Sequence, residues 1–207
     1  MRTRADAKLL EVHRLFRFLA AALVVVVLLC LLSAMLVPFT VPQEAPYSEI
    51  EGEIYQADAL GNERESPEEI ASRLRPGQSI RLEEGSRLEV ELIAGSGLFA
   101  LLIGPGEWRL VEAESRGTLL EHVTGNVDNY TLLLEQQSGT AVFDLGQGNI
   151  ERETLEMVLQ LPDGNLRPSF TCFQVSVDTE AETSAVVEVP CGGDIRPLSE
   201  PRLPTVP

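Results

Sequence analysis

A catalytic or ligand site needs converging groups of particular types, and this chain offers few. Beyond residue 37 it has one histidine, His122, between Glu121 and Val123 in a run that reads as a strand. An imidazole with no second base or ligand near it in sequence is expected to be an ordinary strand residue. Cys172 and Cys191 lack the further Cys, His or carboxylate ligands at fixed spacing that tetrahedral zinc requires. Gly95-Ser96-Gly97 lacks the G-x-S-x-G spacing of a nucleophile elbow. Gly146-Gln147-Gly148 lacks both a third glycine and a following helix, so it makes no phosphate cradle. The acids form no EF-hand loop, which leaves only a loop such as Asp128-Asn129 for weak calcium binding. Asn129-Tyr130-Thr131 is a glycosylation sequon, with meaning only in a eukaryotic secretory pathway. No enzyme, cofactor or metal is expected.

The three cysteines differ in kind. Cys30 lies in an apolar run and acts there as a small hydrophobe, with Leu29 before it where a lipoprotein site needs a small residue. Cys172 and Cys191 fall in the polar part of the chain, where an oxidising compartment can pair them. Spacing alone leaves a disulfide and two free thiols both open.

The elements that must position these groups begin with a membrane segment. Phe18 to Val37 is twenty residues with Ser33 as its only polar member, and thirteen of the twenty are Leu, Val or Phe. As a helix rising about 1.5 Å per residue it spans about 30 Å, the thickness of the hydrocarbon core. A cleaved signal peptide has a shorter apolar run and a small-x-small site, and neither is found here. An uncleaved anchor is therefore expected over 18–37.

Charge gives the orientation. The chain carries a net −16, yet residues 1–17 hold five positive residues (Arg2, Arg4, Lys8, Arg14, Arg17) against Asp6 and Glu11. Beyond residue 37 there are thirty acids against eleven arginines, the first of them Arg64. By the positive-inside rule residues 1–17 form a cytoplasmic basic tail and the remainder is extracytoplasmic. The acid excess argues against nucleic acid or anionic lipid as a partner of the outer domain.

Pro38 to Tyr47 has three prolines and reads as a stiff spacer, while 196–207 has four and reads as a Pro-rich tail. Between them, 48–195 has the pattern of short strands. Leu88, Val90 and Leu92 alternate with Glu89 and Glu91, and Ile80 and Leu82 alternate with Arg81 and Glu83. Further runs are Leu98–Ile103, Trp108–Val111, Thr118–Val123, Tyr130–Leu134, Thr140–Leu145, Leu155–Leu161, Phe173–Val177 and Ala185–Val189. Turns are expected at Gly95-Ser96-Gly97, Gly104-Pro105-Gly106, Ser138-Gly139, Gly146-Gln147-Gly148 and Asp163-Gly164. Ser66-Pro67-Glu68-Glu69 fits a capping box opening a short helix with Ile70, Ala71 and Leu74 on its apolar face. The expected fold is all-β: a single antiparallel β-sandwich or barrel-like domain with one short helix, preceded by one transmembrane helix. On the Phe173–Val177 strand, Phe173, Val175 and Val177 share one face, which puts Cys172 with Gln174 and Ser176 on a solvent-facing side.

Residues 48–178 resemble the FecR-like domain, the extracytoplasmic part of bacterial ferric-citrate-type transmembrane regulators. Glu49-Ile50-Glu51-Gly52-Glu53-Ile54 looks like its opening strand with a central glycine. Leu74-Arg75-Pro76-Gly77-Gln78-Ser79-Ile80 followed by Glu84-Gly85-Ser86-Arg87-Leu88-Glu89-Val90 is similar to the family's "pGd.i … dGs.v.l" pattern, and Gly139–Leu145 sits at its "sG.v.v.v" element. Pro168 to Val177 looks like the closing "GT.F.V" strand, with Ser169 or Thr171 where Gly-Thr is usual. The resemblance implies a membrane-anchored extracytoplasmic sensor or interaction module of a bacterial cell envelope, signalling through its single helix. Its expected partner is an envelope protein or glycan. Because only Met1–Arg17 lies inside, no sigma-factor partner is expected. The alternative is a structural or scaffolding component of an envelope complex without signalling.

Overall fold

A computed structural model describes residues 4–58, 60–64, 73–125, 127, 129–146, 148, 150 and 154–191. Of the short helix expected from Ser66 up to Pro76-Gly77, residues 66–72 lie outside these residues, as does the tail at 196–207. Leu74, assigned to that helix, lies in a two-residue strand, Arg73–Leu74, that pairs with Ala45 and Pro46.

The chain opens with helix α1 (Arg4–Leu36). Among the described residues no helix is long and apolar enough to cross a membrane. The longest unbroken run of α1 with described side chains is 16–30, and every side chain in it is exposed.

Among the described residues thirteen strands follow, so the chain is mostly β, as expected. Their organisers are the two longest, β8 (Phe99–Gly117) and β9 (Tyr130–Asp144), which run antiparallel to each other. The first part of β8 and the last part of β9 belong to one wing. There β8 pairs with β7 (Arg87–Glu91), which pairs with β2 (Ala45–Glu51), and β9 pairs with β12 (Cys172–Asp178), which pairs with β13 (Thr183–Glu188). The other halves make a second wing. There β8 pairs with β6 (Ser79–Leu82), then β3 (Ile54–Ala57) and β4 (Glu63–Arg64), while β9 pairs with β10 (Leu155–Leu161) and β11 (Gly164–Leu166). The β9–β10 pairing is parallel, so the sheet is mixed and not wholly antiparallel. The connection between those two strands, 145–154, is too long for a tight hairpin.

Both wings bury one face in a single core. Leu88 and Val90 of β7 and Phe173 and Val175 of β12 join Ile80 and Leu82 of β6, Leu132 of β9 and Leu159 of β10 in one cluster. Alternation along β7 places Arg87, Glu89 and Glu91 on the less buried side, the pattern that the sequence displays. In β8 the buried positions shift from even numbers through Leu110 to odd numbers from Ala113, and the ladder register shifts between Leu110 and Glu112. One extra residue in a strand flips its side chains to the opposite face, as a bulge does.

The chain passes between wings along a crease of small residues. At Gly52, β2 hands over to β3, so the expected opening strand is two strands divided by its glycine. Gly52 has φ +89, and a Cβ there would strike Ser86. The Glu53 amide donates to Ser86 Oγ at 2.9 Å, and that hydroxyl lies 3.1 Å from the Glu53 carbonyl, to which it donates. Gly104-Pro105-Gly106 and Ser138-Gly139, expected as turns, lie inside β8 and β9 and bend them without ending them. The Gly104–Pro105 peptide is cis. Gly139, at φ +84, leaves no room for a side chain between Pro105, Gly106 and the Trp108 ring. Asp163-Gly164 does close a tight hairpin, with Leu161 opposite Gly164.

The proline-rich stretch 38–47 also departs from the expected spacer. It contains β1 (Phe39–Pro42), paired with β8, and the start of β2, with Ala45 and Tyr47 buried. Proline removes one donor from a ladder, and it is tolerated in short strands near a sheet's margin. The Gln43 amide donates to Ala113 O at 2.7 Å, and its side chain donates to Ser115 Oγ at 2.7 Å.

Candidate functional site

Contacts divide the chain into two units. The smaller combines α1 and Phe39 with the segment Gly117–Val127. Thr118–Val123, expected as a strand, holds instead the helix α2 (Leu119–Thr124). Its N-cap Thr118 accepts from the Glu121 amide, and the Glu121 carboxylate accepts from the Thr118 amide at 2.7 Å, completing a capping box. Gly125 closes the other end in the left-handed region. Thr-x-x-Glu followed by glycine was the sequence signal for this helix. His122 is therefore a helical residue, its ring 4.7 Å from that of Phe39 and tilted 47° to it. Its Nε2 is buried with no hydrogen-bond partner. No other Cys, His or carboxylate joins it in a metal-binding group among the described residues.

α2 buries none of its residues, and Leu119, Leu120 and Val123 are 41%, 62% and 77% exposed. On α1, Phe16, Phe18, Leu19, Leu23 and the run from Val24 to Leu29 are likewise exposed. The unit displays apolar side chains around a whole helix, which a helix surrounded by water does not do.

In the larger unit Cys172 and Cys191 are bonded, with Cα atoms 5.4 Å apart. The bond closes the base of the β12–β13 hairpin, where the Val189 amide donates to Cys172 O at 3.1 Å. The alternation along β12 runs through Cys172 without a bulge, pairing it with Asp144. Its second face is nevertheless covered: Cys172 and Gln174 are buried, and only Ser176 is partly open. β12 is an interior strand, so Val142 and Val187 flank Gln174, while Asp144 and Cys191 lie against Cys172.

Asp144, Cys172 and Cys191 place three donor atoms within 4.8 Å of one another. Asp144 is the carboxylate partner that the sequence did not reveal. Its Oδ1 accepts from the Gly146 amide at 2.9 Å and lies 3.3 Å from Cys172 Sγ. With both sulfurs bonded to each other neither is a thiolate, and the group acts as a clamp.

A cleft of about 450 Å³ lies along the crease. Gly106 and Gly139 line it, with Glu83, Glu107, Asp178 and Glu180 set against the single cation Arg81. Arg81 sits 4.8 Å over the Tyr55 ring, and its Nε is 3.7 Å from Glu83. The lining has no histidine and no thiol, so neither a base–nucleophile pair nor a soft-metal set is present there. Comparison with protein-family models, with curated proteins and with solved structures finds no match for this chain.

Proposed function

We propose that this chain is a single-pass membrane protein of a bacterial cell envelope, its β-unit held outside as a sensor or interaction module resembling the FecR-like domain. In this reading residues 18–37 cross the bilayer, 1–17 remain inside, and the outer unit is a non-enzymatic sandwich that binds an envelope protein or glycan.

The observation that carries the reading is the exposure of α1. Its leucines, valines and phenylalanines stand open on every side, from Phe18 at 78% to Leu36 at 65%. The described side chains alone make a run shorter than a bilayer, and the sequence continues it through Leu31 and Ala34 to Val37. Thirteen Leu, Val and Phe residues in that stretch favour insertion by about 4–8 kcal/mol. The basic residues before it and the acid excess after it supply the orientation.

The test is affinity capture from detergent-solubilised membranes, with and without residues 1–17, preceded by alkaline extraction of the membranes. The protein is expected to resist extraction and to bring down envelope proteins. Loss of a cytoplasmic partner on truncation supports signalling. Capture of the same envelope proteins by both forms favours scaffolding. Release into the alkaline supernatant would overturn the membrane reading itself.

A further inference from the structure

The loop between β8 and β9 carries an apolar surface that the β-unit does not use. α2 is six residues long and turns Leu119, Leu120 and Val123 outward. Its two ends are capped within the loop, and His122 Nε2 is the buried polar atom left without a partner. Thr118 and Glu121 bond each other, Thr124 Oγ1 donates to the Leu120 carbonyl at 2.8 Å, and the Gly125 amide donates to the Glu121 carbonyl. A segment whose capping groups are partnered locally, and whose outward residues are apolar, suits the boundary between water and acyl chains.

Its position follows from α1. The helix ends at Leu36 and β1 begins at Phe39, so Phe39 lies within about 10 Å of the helix end. The Phe39 ring is 4.7 Å from the His122 ring, and both belong to the same unit as α1. The exposed apolar surface thus runs from α1 through Val37 (59%) and Phe39 (40%) to α2 without leaving that unit.

We propose that α2 is a second membrane contact: Leu119, Leu120 and Val123 dock into the interfacial layer of the bilayer that α1 crosses, beside the point where the chain emerges. The proposal rests on the membrane reading of α1 and adds a lipid-binding role for the β8–β9 loop. Apolar contact of this kind needs no anionic lipid, consistent with the acid excess of the outer chain.

The experiment uses the full chain in phosphatidylcholine vesicles, with acyl chains either plain or brominated both near the glycerol end and near the terminal methyl. Val123→Cys and, separately, Val27→Cys are made in a Cys30→Ala background, Cys30 being the free cysteine. Each is labelled with an environment-sensitive fluorophore, and Leu60→Cys, at a residue 86% exposed, supplies the aqueous reference. The labels at 123 and 27 are both expected to shift to the blue and to lose most of their emission in brominated vesicles, while the label at 60 keeps its emission. Quenching at 27 but not at 123 would overturn the docking of α2 and leave the crossing of α1 intact. Quenching at neither overturns both. A blue-shifted label at 123 that bromine does not quench, and that reverts on dilution of the protein, means that a second copy covers α2, and it too overturns the proposal.

Discussion

Removing the clamp between Cys172 and Cys191 is the sharpest way to test the energetics of the β-unit. The bond joins residues 19 apart in sequence. Cross-linking a loop of that size takes entropy from the unfolded chain worth about 3 kcal/mol at 25 °C. In the folded state the β12–β13 ladder already holds the two ends together, so the effect falls mainly on the denatured ensemble. Cys191 is exposed and Cys172 is buried, so Cys191→Ala breaks the bond with the least loss of packing. Unfolding can be followed through the one tryptophan, Trp108, which is 3% exposed in the core. With a urea slope of about 2 kcal/mol per molar, the midpoint of Cys191→Ala should fall by about 1.5 M. The wild-type chain reduced before the titration should fall by a similar amount, and both should unfold with a steeper slope because a longer denatured chain exposes more surface. If oxidised wild type, reduced wild type and Cys191→Ala share one midpoint, the bond does not constrain the unfolded chain and the reasoning fails.

Four further outcomes are expected. Phe173→Ala removes a fully buried ring stacked at 4.9 Å on Phe143, and it should cost about 3–5 kcal/mol in the same urea titration. Thr118→Ala breaks the capping box of α2 and should cost about 1 kcal/mol locally, seen as about fivefold faster amide exchange at Glu121 and His122. Glu44 is held below the ordinary carboxylate value first by its hydrogen bond from Arg73 at 3.0 Å, with Arg75 at 2.8 Å adding to it. Its contribution is therefore present above the ordinary value and lost as pH falls through the lowered one, so wild type and Glu44→Gln should differ in thermal midpoint at neutral pH, converge in acid, and converge also in high salt. Burial raises the Tyr47 hydroxyl from its ordinary 10.0 to about 12. Folding then favours the protonated ring, so stability should hold below pH 10 and fall as pH rises from there toward 12, with one phenolate appearing late in an absorbance titration.

Local features of the sequence were readable wherever a strand was short and regular. The alternation in Arg87–Glu91, the apolar pair Ile80 and Leu82, and the hairpin at Asp163-Gly164 each depend on neighbours within a few residues. What depends on distant partners was not readable. Gly104-Pro105-Gly106 and Ser138-Gly139 carry the chemistry of turns, and only the strands on either side keep β8 and β9 continuous through them. The same holds for the prolines of 38–47, which enter the sheet because Ala113 and Ser115 receive Gln43. The parallel neighbour of β9 has no local signature at all. At the candidate sites, the exposed apolar run of α1 was plain from composition. α2 was hidden because Thr118–Val123 reads equally as a strand, although its capping signature was present. Asp144 could not be assigned to the cysteines because its place beside them comes only from the register of β9 against β12.

The crease has a mechanical consequence. β8 and β9 cross it unbroken, so each wing owns half of the same two strands, and neither wing can peel away while the other stays whole. A pull on the chain ahead of β1 enters the β-unit where β1 pairs with β8. From there it spreads into both wings at once. The β-unit should therefore yield as one body and not wing by wing.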